Sequence, residues 1–516
     1  VCVPVHPSLH SHDIRRTLES AQIDFLIVEN EALLRQIPAL ERELQGVLID
    51  PPAQPIHAQM SLKEITELGA QALSLDPSAF ERTIDESKPE DWATLLSTPG
   101  TTGKPKIVIL ENQHWIAALE DAVATFGPDV SDQGERLLTF LPLSHVLGKL
   151  ESMSALAFGW TLCFSEGFSK LEKSLLEVRP TVLFTVPRLF ERTFHRISAE
   201  TEKLPKWQRV FIERWSKEGP RKEARKLTER WEARIAERAF FERVREGFGG
   251  ALRFAICGGA HLPPSTIEFF SAAGIPIYEG YGLTESTGPV TVNTPRALRP
   301  GTVGRPMGDT AIRIESDGEI WIRSRKVFSG YYNQPEETAL ALKDGWLRTG
   351  DVGELTADGF LRITERRKEL LTLTTGRHVS PQKIEVLAKT RLPMVRHFAV
   401  LGEGRPYLAA LLTLEKEPVL EYARENMVLF SSYPDLARNP KILAWVQAGV
   451  DRLNEQLSRF EQVRKFVILS GEFSVESGEL SPSLQFRRKF LEDRYRTEIT
   501  HLFAEYPKPQ PNATRD

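Results

Sequence analysis

The sequence predicts an α/β fold divided into at least two domains. Three observations carry this reading. The chain has 516 residues, too many for one hydrophobic core. Short apolar runs alternate with amphipathic stretches through its first two-thirds, the pattern of a sheet layered with helices. The pattern then changes twice: to short alternating strands from Ala311, and to a new α+β order after Arg366.

The elements follow in order. Residues 24–28 (DFLIV), 181–185 (TVLFT) and 252–256 (LRFAI) read as buried strands. The apolar residues Ala93, Leu95 and Leu96 lead into STPGTTGKPK at 97–106. This order predicts a strand running into a loop that can wrap an anion. Gly100 and Gly103 let the backbone approach closely. Exposed N–H groups, the Thr101 and Thr102 hydroxyls and the Lys104 and Lys106 ammoniums can then share the negative charge. The spacing is not the Walker type. Taken alone, the loop reads equally well as a solvated turn.

Residues 152–165 are uncharged and read as buried strand or helix, short of the roughly 20 residues that cross a bilayer. Residues 200–245 are heavily charged, with Trp207, Val210, Phe211 and Trp215 on one helical face and Trp231 and Ile235 on another. Amphipathic surface helices are expected; a membrane-surface or fatty-substrate role is the less favoured alternative. AIRIESDGEIWIRS from Ala311 predicts a hairpin turning at Asp317-Gly318, and residues 352–363 a second one at Asp358-Gly359. A strand at 370–373, a turn at Gly376 and a helix from Pro381 open the next domain, with the boundary at 366–369. The Pro-rich polar tail 506–516 predicts disorder.

Composition excludes some classes. Hydrophobic residues at 41% and charged residues at 26% are ordinary for a soluble globular chain. A formal net charge of −4 gives no bulk signal for nucleic acid. Cys2, Cys163 and Cys257 are too scattered for a zinc site or disulfide framework, which favours a reducing, cytoplasmic setting. The chain begins at Val1 with no signal-like region, so Val1 reads as a cut boundary.

Two further stretches carry chemistry. YEGYGLTES at 278–286 frees the backbone around Tyr281 with Gly280 and Gly282. An aromatic ring can stack on a nucleobase, the Thr284 hydroxyl can donate to a phosphate, and Glu285 can hold Mg²⁺ through oxygen. A strand-end turn with one packed tyrosine is the plainer alternative. WLRTGD at 346–351 ends in Asp351, suited to accept both hydroxyls of a ribose, or else forming an Asx turn. Arg366-Arg367-Lys368-Glu369 and TTGRHVSP at 374–381 follow.

Together and in this order, these stretches resemble the motifs of the adenylate-forming (AMP-binding) superfamily, which activates carboxylic acids with ATP. STPGTTGKPK is similar to its phosphate loop, and YGLTES, WLRTGD and ERRKE…TTGRHVSP to its adenine-phosphate, ribose and hinge motifs. LPLSHVLGKLE (141–151), VRPTVLFTVPRLFER (178–192), FERVREGFGG (241–250), LRFAICGGAHLPP (252–264) and GELSPSLQFRRK (478–489) resemble the long-chain fatty acyl-CoA synthetase branch. The resemblance implies a large multi-layer N-terminal domain (1–366) with mixed sheets plus a small β-rich subdomain. A small mobile α+β C-terminal domain (367–505) follows.

The implied reaction joins a long-chain fatty acid to coenzyme A through acyl-AMP, with ATP and Mg²⁺. By resemblance, Thr101, Thr102, Gly103 and Lys106 hold the β,γ-phosphates, Thr284 the α-phosphate and Glu285 the Mg²⁺. Tyr281 packs on adenine beside Gly282, with Gly258, Gly259 and Ala260 lining the nucleotide and carboxylate site. Asp351 and Arg366 take the ribose. Lys368 is the hinge residue, and the Gly376 loop lines the pantetheine tunnel. His145 lies near the acyl and carboxylate site; a packed structural histidine is the alternative. Peripheral membrane contact and oligomeric state stay open.

The sequence departs from the family pattern in three places. Gln485 stands where the motif L-[ST]-P-[ST]-x-K has the lysine that contacts the carboxylate and α-phosphate. Pro99 replaces Ser or Gly in the phosphate loop, removing an N–H; Ile107 replaces the usual glycine after PK. VCVPVHPSL resembles a segment that normally follows earlier strands and helices, so a shortened N-terminal domain is expected. The first two departures predict weakened adenylation. Two alternatives follow: a degenerate protein that binds nucleotide or acyl groups without turnover, and an acyl-AMP ligase that loads an acyl carrier protein.

Overall fold

The computed structural model describes residues 1–516 except 7–8, 10, 38–43, 51–58, 99–105, 128–129, 131–133, 203–239, 261, 367–370, 375–376, 482–484 and 505–516. The chain forms two compact units, a larger one containing Ser11–Thr364 and a smaller one from Glu365 onward.

The centre of the larger unit is a seven-stranded mixed sheet. Its order is Arg305–Pro306, Gly288–Val292, Ile277–Leu283, Phe254–Cys257, Val182–Thr185, Arg136–Thr139, Thr161–Phe164. The last five are parallel to their neighbours; the first two turn back antiparallel at one edge. Both faces are covered, so the central strands are apolar at nearly every position. Leu138, Leu183, Ala255 and Ile277 pack on one side with Phe190, Phe241 and Phe270. Leu137, Val182, Phe184, Phe254 and Ile256 pack on the other with Leu147 and Ala155 of the helix Val146–Phe158.

Beside it, Trp92–Thr98, Lys106–Glu111 and Gly330–Tyr331 form an antiparallel three-stranded sheet. The β-rich part pairs Ala311–Ile314, Glu319–Arg323, Trp346–Leu355, Leu342–Lys343 and Leu361–Arg366. Its two hairpins turn at Gly318 (φ 80°) and Gly359 (φ 82°), left-handed positions that glycine adopts without strain. In the smaller unit, Val395–Leu401 and Leu408–Leu414 pair antiparallel, with Val463–Ile468 parallel to the second. Helices Pro381–Arg391 and Pro440–Asn454 cover this sheet through Ile384, Ile442 and Val446. Ser380 caps the first of them through the Lys383 amide.

Three expectations are corrected. The strand Phe25–Val28 is not buried: Phe25 and Ile27 are exposed, because it lies at the edge of a separate three-stranded parallel sheet. Residues 152–165 are neither one strand nor one helix. They hold the end of the helix Val146–Phe158, a left-handed turn at Gly159 (φ 70°) and the half-exposed edge strand Thr161–Phe164. The strand expected at 252–256 runs from Phe254 to Cys257. Most of the charged stretch 200–245, and the tail from 506, lie outside the described residues. Among those described, no helix is long and apolar enough to cross a membrane.

Candidate active site

The site begins where the parallel strands end, the edge at which open α/β sheets bind ligands. The Gly258 amide still donates to the Thr185 carbonyl at 3.1 Å; Gly259, with φ 86°, then turns the chain out to an exposed Ala260. A Cβ on Gly258 would lie 3.5 Å from Leu147 Cδ2 and 3.7 Å from the Gly280 carbonyl oxygen. The turn is therefore bordered by the helix Val146–Phe158 and by the strand that carries Tyr281.

That helix is capped by His145. The Leu147 amide donates to His145 Nδ1 at 3.3 Å. Burial holds the imidazole pKa below its ordinary value, so the ring is neutral at pH 7. With Nδ1 accepting, the ring proton sits on Nε2, which makes His145 a neutral donor. Gly148 lets the helix close on the preceding loop: a Cβ there would meet the Pro142 carbonyl oxygen at 2.4 Å.

Tyr281 sits at the end of its strand, where the ladder with Gly288–Val292 shifts register. Its hydroxyl donates to Asp351 Oδ2 at 2.6 Å. Asp351 is almost fully buried, and its amide donates to the Thr349 hydroxyl at 3.0 Å. Two motifs 70 residues apart thus share one hydrogen bond. Gly282 is required beside them, because a Cβ would fall 1.8 Å from the Gly288 carbonyl oxygen.

The chain continues into the helical turn Thr284–Ser286, held by the Leu283 amide donating to Ser286 Oγ at 2.9 Å. The Glu285 carbonyl accepts from the Phe328 amide at 2.8 Å, and its carboxylate Oε1 accepts from the Tyr331 hydroxyl at 2.8 Å. Burial and the Glu285 charge hold the phenol far above its ordinary pKa, so it remains a donor. The Lys106 ammonium lies 4.9 Å from the centre of the Tyr331 ring and pairs with the Glu337 carboxylate.

The larger unit thus contains Lys106, His145, Gly258, Gly259, Ala260, Tyr281, Gly282, Thr284, Glu285 and Asp351. Arg366 ends the strand Leu361–Arg366, and Gln485 belongs to the smaller unit. Thr101, Thr102, Gly103, Lys368 and Gly376 lie outside the described residues. The motifs alone assign no role to Tyr331 or Glu337. The signal available was GYYNQPEE at 330–337, a glycine-led aromatic pair and two acids directly after an alternating-strand segment.

This fold and this site define a class: an α/β protein in which glycines, a tyrosine and a carboxylate follow the carboxyl ends of parallel strands and meet a lysine and an aspartate from neighbouring antiparallel sheets. Residues 1–332 match the AMP-binding enzyme family, and residues 368–507 match the AMP-binding enzyme C-terminal domain. The chain belongs to the AMP-binding enzyme family. It is 32% identical to the long-chain-fatty-acid–CoA ligase FadD15 of Mycobacterium bovis over 98% of this chain and 84% of that protein. It is 29% identical to the long-chain-fatty-acid–CoA ligase ACSBG1 of Mus musculus, over 96% of this chain and 72% of that one. Among solved structures, the A domain of carboxylic acid reductase from Segniliparus rugosus shares the fold. Its TM-score is 0.70 at 21% identity, over 98% of this chain and 79% of that one.

Proposed function

We propose that this chain activates a long-chain fatty acid with ATP, forming acyl-AMP and then acyl-CoA. The observation that carries the reading is the chain of contacts Lys106–Tyr331–Glu285 followed, four residues upstream of Glu285, by Tyr281–Asp351. It brings a cation and a carboxylate, Lys106 and Glu285, onto one ring and ties the ribose-type acceptor Asp351 to the strand that leads into Glu285. The two similar ligases support the fatty acyl substrate and coenzyme A as acceptor. The domain division proposed is 1–366 and 367–505.

In the first half-reaction a fatty carboxylate oxygen bonds to the α-phosphorus of ATP and the bond to pyrophosphate breaks. Lys106 and the Thr101-Thr102-Gly103 loop neutralise the β,γ-phosphates, and Thr284 donates to the α-phosphate. The neutral His145 donates from Nε2 toward the carboxylate. Asp351 and Arg366 hold the ribose, and Tyr281 packs on adenine with its hydroxyl anchored to Asp351. Glu285 fits a hard cation: its Oε1 is taken by Tyr331, leaving Oε2 as an oxygen ligand. Mg²⁺ there supplies charge neutralisation on the phosphates. In the second half-reaction the thiol of coenzyme A displaces AMP, with the Gly376 loop lining its path after rotation about Lys368.

Pyrophosphate release in the presence of ATP, Mg²⁺ and fatty acids of graded length tests the reading. Release that depends on a long-chain acid is expected; none at any length would overturn it. A second reading, binding without turnover, is favoured by Gln485 and Pro99 at positions where the family pattern supplies a cation and an N–H donor.

A further inference from the structure

Tyr331 touches both Glu285 and Lys106, the two charged side chains assigned above to the phosphate end of the site. Its ring is almost fully buried, with Phe328 packed edge-on at 4.8 Å between centroids. Its amide donates to Thr338 Oγ1 at 2.9 Å. Its backbone pairs with Val108, on the strand that begins at Lys106. The fit is tight on the preceding residue too: a Cβ on Gly330 would meet Thr338 Cγ2 at 2.8 Å. The ring therefore has little room to move, and the groups it touches are located by it.

Two contacts leave this ring in different directions. The hydroxyl donates to Glu285 Oε1 at 2.8 Å. The face carries the Lys106 ammonium at 4.9 Å from its centre. Glu285 sits on a three-residue helical turn, Thr284–Ser286, whose backbone does not by itself fix a carboxylate rotamer. The hydroxyl fixes it, engaging one oxygen and leaving the other for a cation. Lys106 is a flexible side chain whose ammonium must exchange the Glu337 carboxylate for a phosphate when ATP binds. The aromatic face attracts the ammonium while that exchange takes place.

We propose that Tyr331 is a positioning residue, holding Glu285 for the metal ion that accompanies ATP and Lys106 for its phosphates. This deepens the nucleotide-activating reading above and rests on it. The two contacts are separable by substitution: Tyr331→Phe removes the hydroxyl and keeps the ring, whereas Tyr331→Leu removes both.

Equilibrium binding of ATP to the full chain, measured by calorimetry with and without Mg²⁺, tests the assignment. For Tyr331→Phe the metal-free ATP affinity stays within about twofold of wild type, since the face that attracts Lys106 is retained. The gain in affinity that Mg²⁺ provides shrinks about tenfold, the scale of one hydrogen bond to a charged group. For Tyr331→Leu the metal-free affinity also falls, by about threefold. In a Glu285→Gln background, Tyr331→Phe causes no further loss. The Phe variant preserves the buried packing, so it decides the test even where the Leu variant loses stability. A Phe variant with the full Mg²⁺ gain overturns the proposal, as does a loss of equal size in the Glu285→Gln background. No ATP binding by the unmodified chain would overturn the parent reading and this proposal together, whereas wild-type binding with an unaffected Phe variant overturns this proposal alone.

Discussion

Glu151 is fully buried on the helix Val146–Phe158, and neither carboxylate oxygen has a well-formed hydrogen bond. Burial drives its pKa well above the carboxylate range, offset in part by Thr139. Glu279, buried on the Tyr281 strand, is pushed by the same cause up to about 7, although the Leu262 amide donates to it. Both groups stay protonated in the folded chain at pH values where the unfolded chain ionises. The folded state then binds more protons, so stability falls as pH rises above the ordinary carboxylate range. Each such group contributes a slope of about 1.4 kcal/mol per pH unit. The Glu279 contribution levels off near pH 7, where the folded carboxyl also ionises. Glu151→Leu removes one of these slopes. Urea unfolding at pH 5 and pH 8 should show the variant gaining more at pH 8, by up to about 1.4 kcal/mol for each pH unit over which the folded carboxyl stays protonated. An equal effect at both pH values would count against a protonated Glu151. Nothing in its sequence context, LGKLESMS, distinguishes it from a solvated helical glutamate; its burial comes from the sheet beneath the helix.

At the scale of elements, local signals were readable and long-range ones were not. The turns at Asp317-Gly318 and Asp358-Gly359 follow from backbone preferences that two residues carry by themselves. The helix from Pro381 likewise announces itself through Ser380 and a proline at its first position. The strand Phe25–Val28 shows the opposite limit: its four apolar residues are those of a buried strand, yet at a sheet edge Phe25 and Ile27 are exposed and only Val28 is buried. Tyr331–Glu285 and Tyr281–Asp351 join residues 46 and 70 apart, and no local pattern encodes that pairing. The glycines between them are local and legible, but the reason for them is tertiary. Gly282 reads as loop freedom in YEGYGLTES, whereas its hydrogen faces the Gly288 carbonyl oxygen across a tight antiparallel turn. Gly282→Ala must therefore push the two strands apart, at about 3 kcal/mol. It should lower the urea midpoint and weaken ATP binding together, because the same strand ends carry Tyr281 and Glu285. Gly345→Ala is a control in open space, although its own positive φ (75°) adds backbone strain. A Gly282→Ala variant no less stable than this control would refute the steric account.

At the scale of the whole molecule, the question is what the smaller unit still contributes. Gln485 is tied to Ser481 by two bonds: the Ser481 amide donates to the Gln485 carbonyl at 2.9 Å and the Gln485 amide donates to Ser481 Oγ at 3.1 Å. The next residue, Phe486, packs against Phe473 and His397 in the core of that unit. The backbone at 485 is thus fixed by its neighbours, and its half-exposed side chain is free to change. Gln485→Lys should alter stability by no more than about 0.5 kcal/mol, as surface substitutions do. Its effect on chemistry is a separate matter. An amide can donate to a phosphate oxygen but brings no charge, and one preorganised electrostatic contact is worth on the order of 100-fold in rate. Pyrophosphate exchange into ATP reports the first half-reaction; thioester formation from preformed acyl-AMP reports the second. If Gln485 limits adenylation, the lysine variant accelerates exchange about 100-fold and leaves the second half-reaction unchanged. Exchange that appears only in the variant would make the natural chain a binding protein for the first step. Equal exchange in both would mean that Lys106, Thr284 and Glu285 suffice, and that a cation at position 485 is dispensable in this chain.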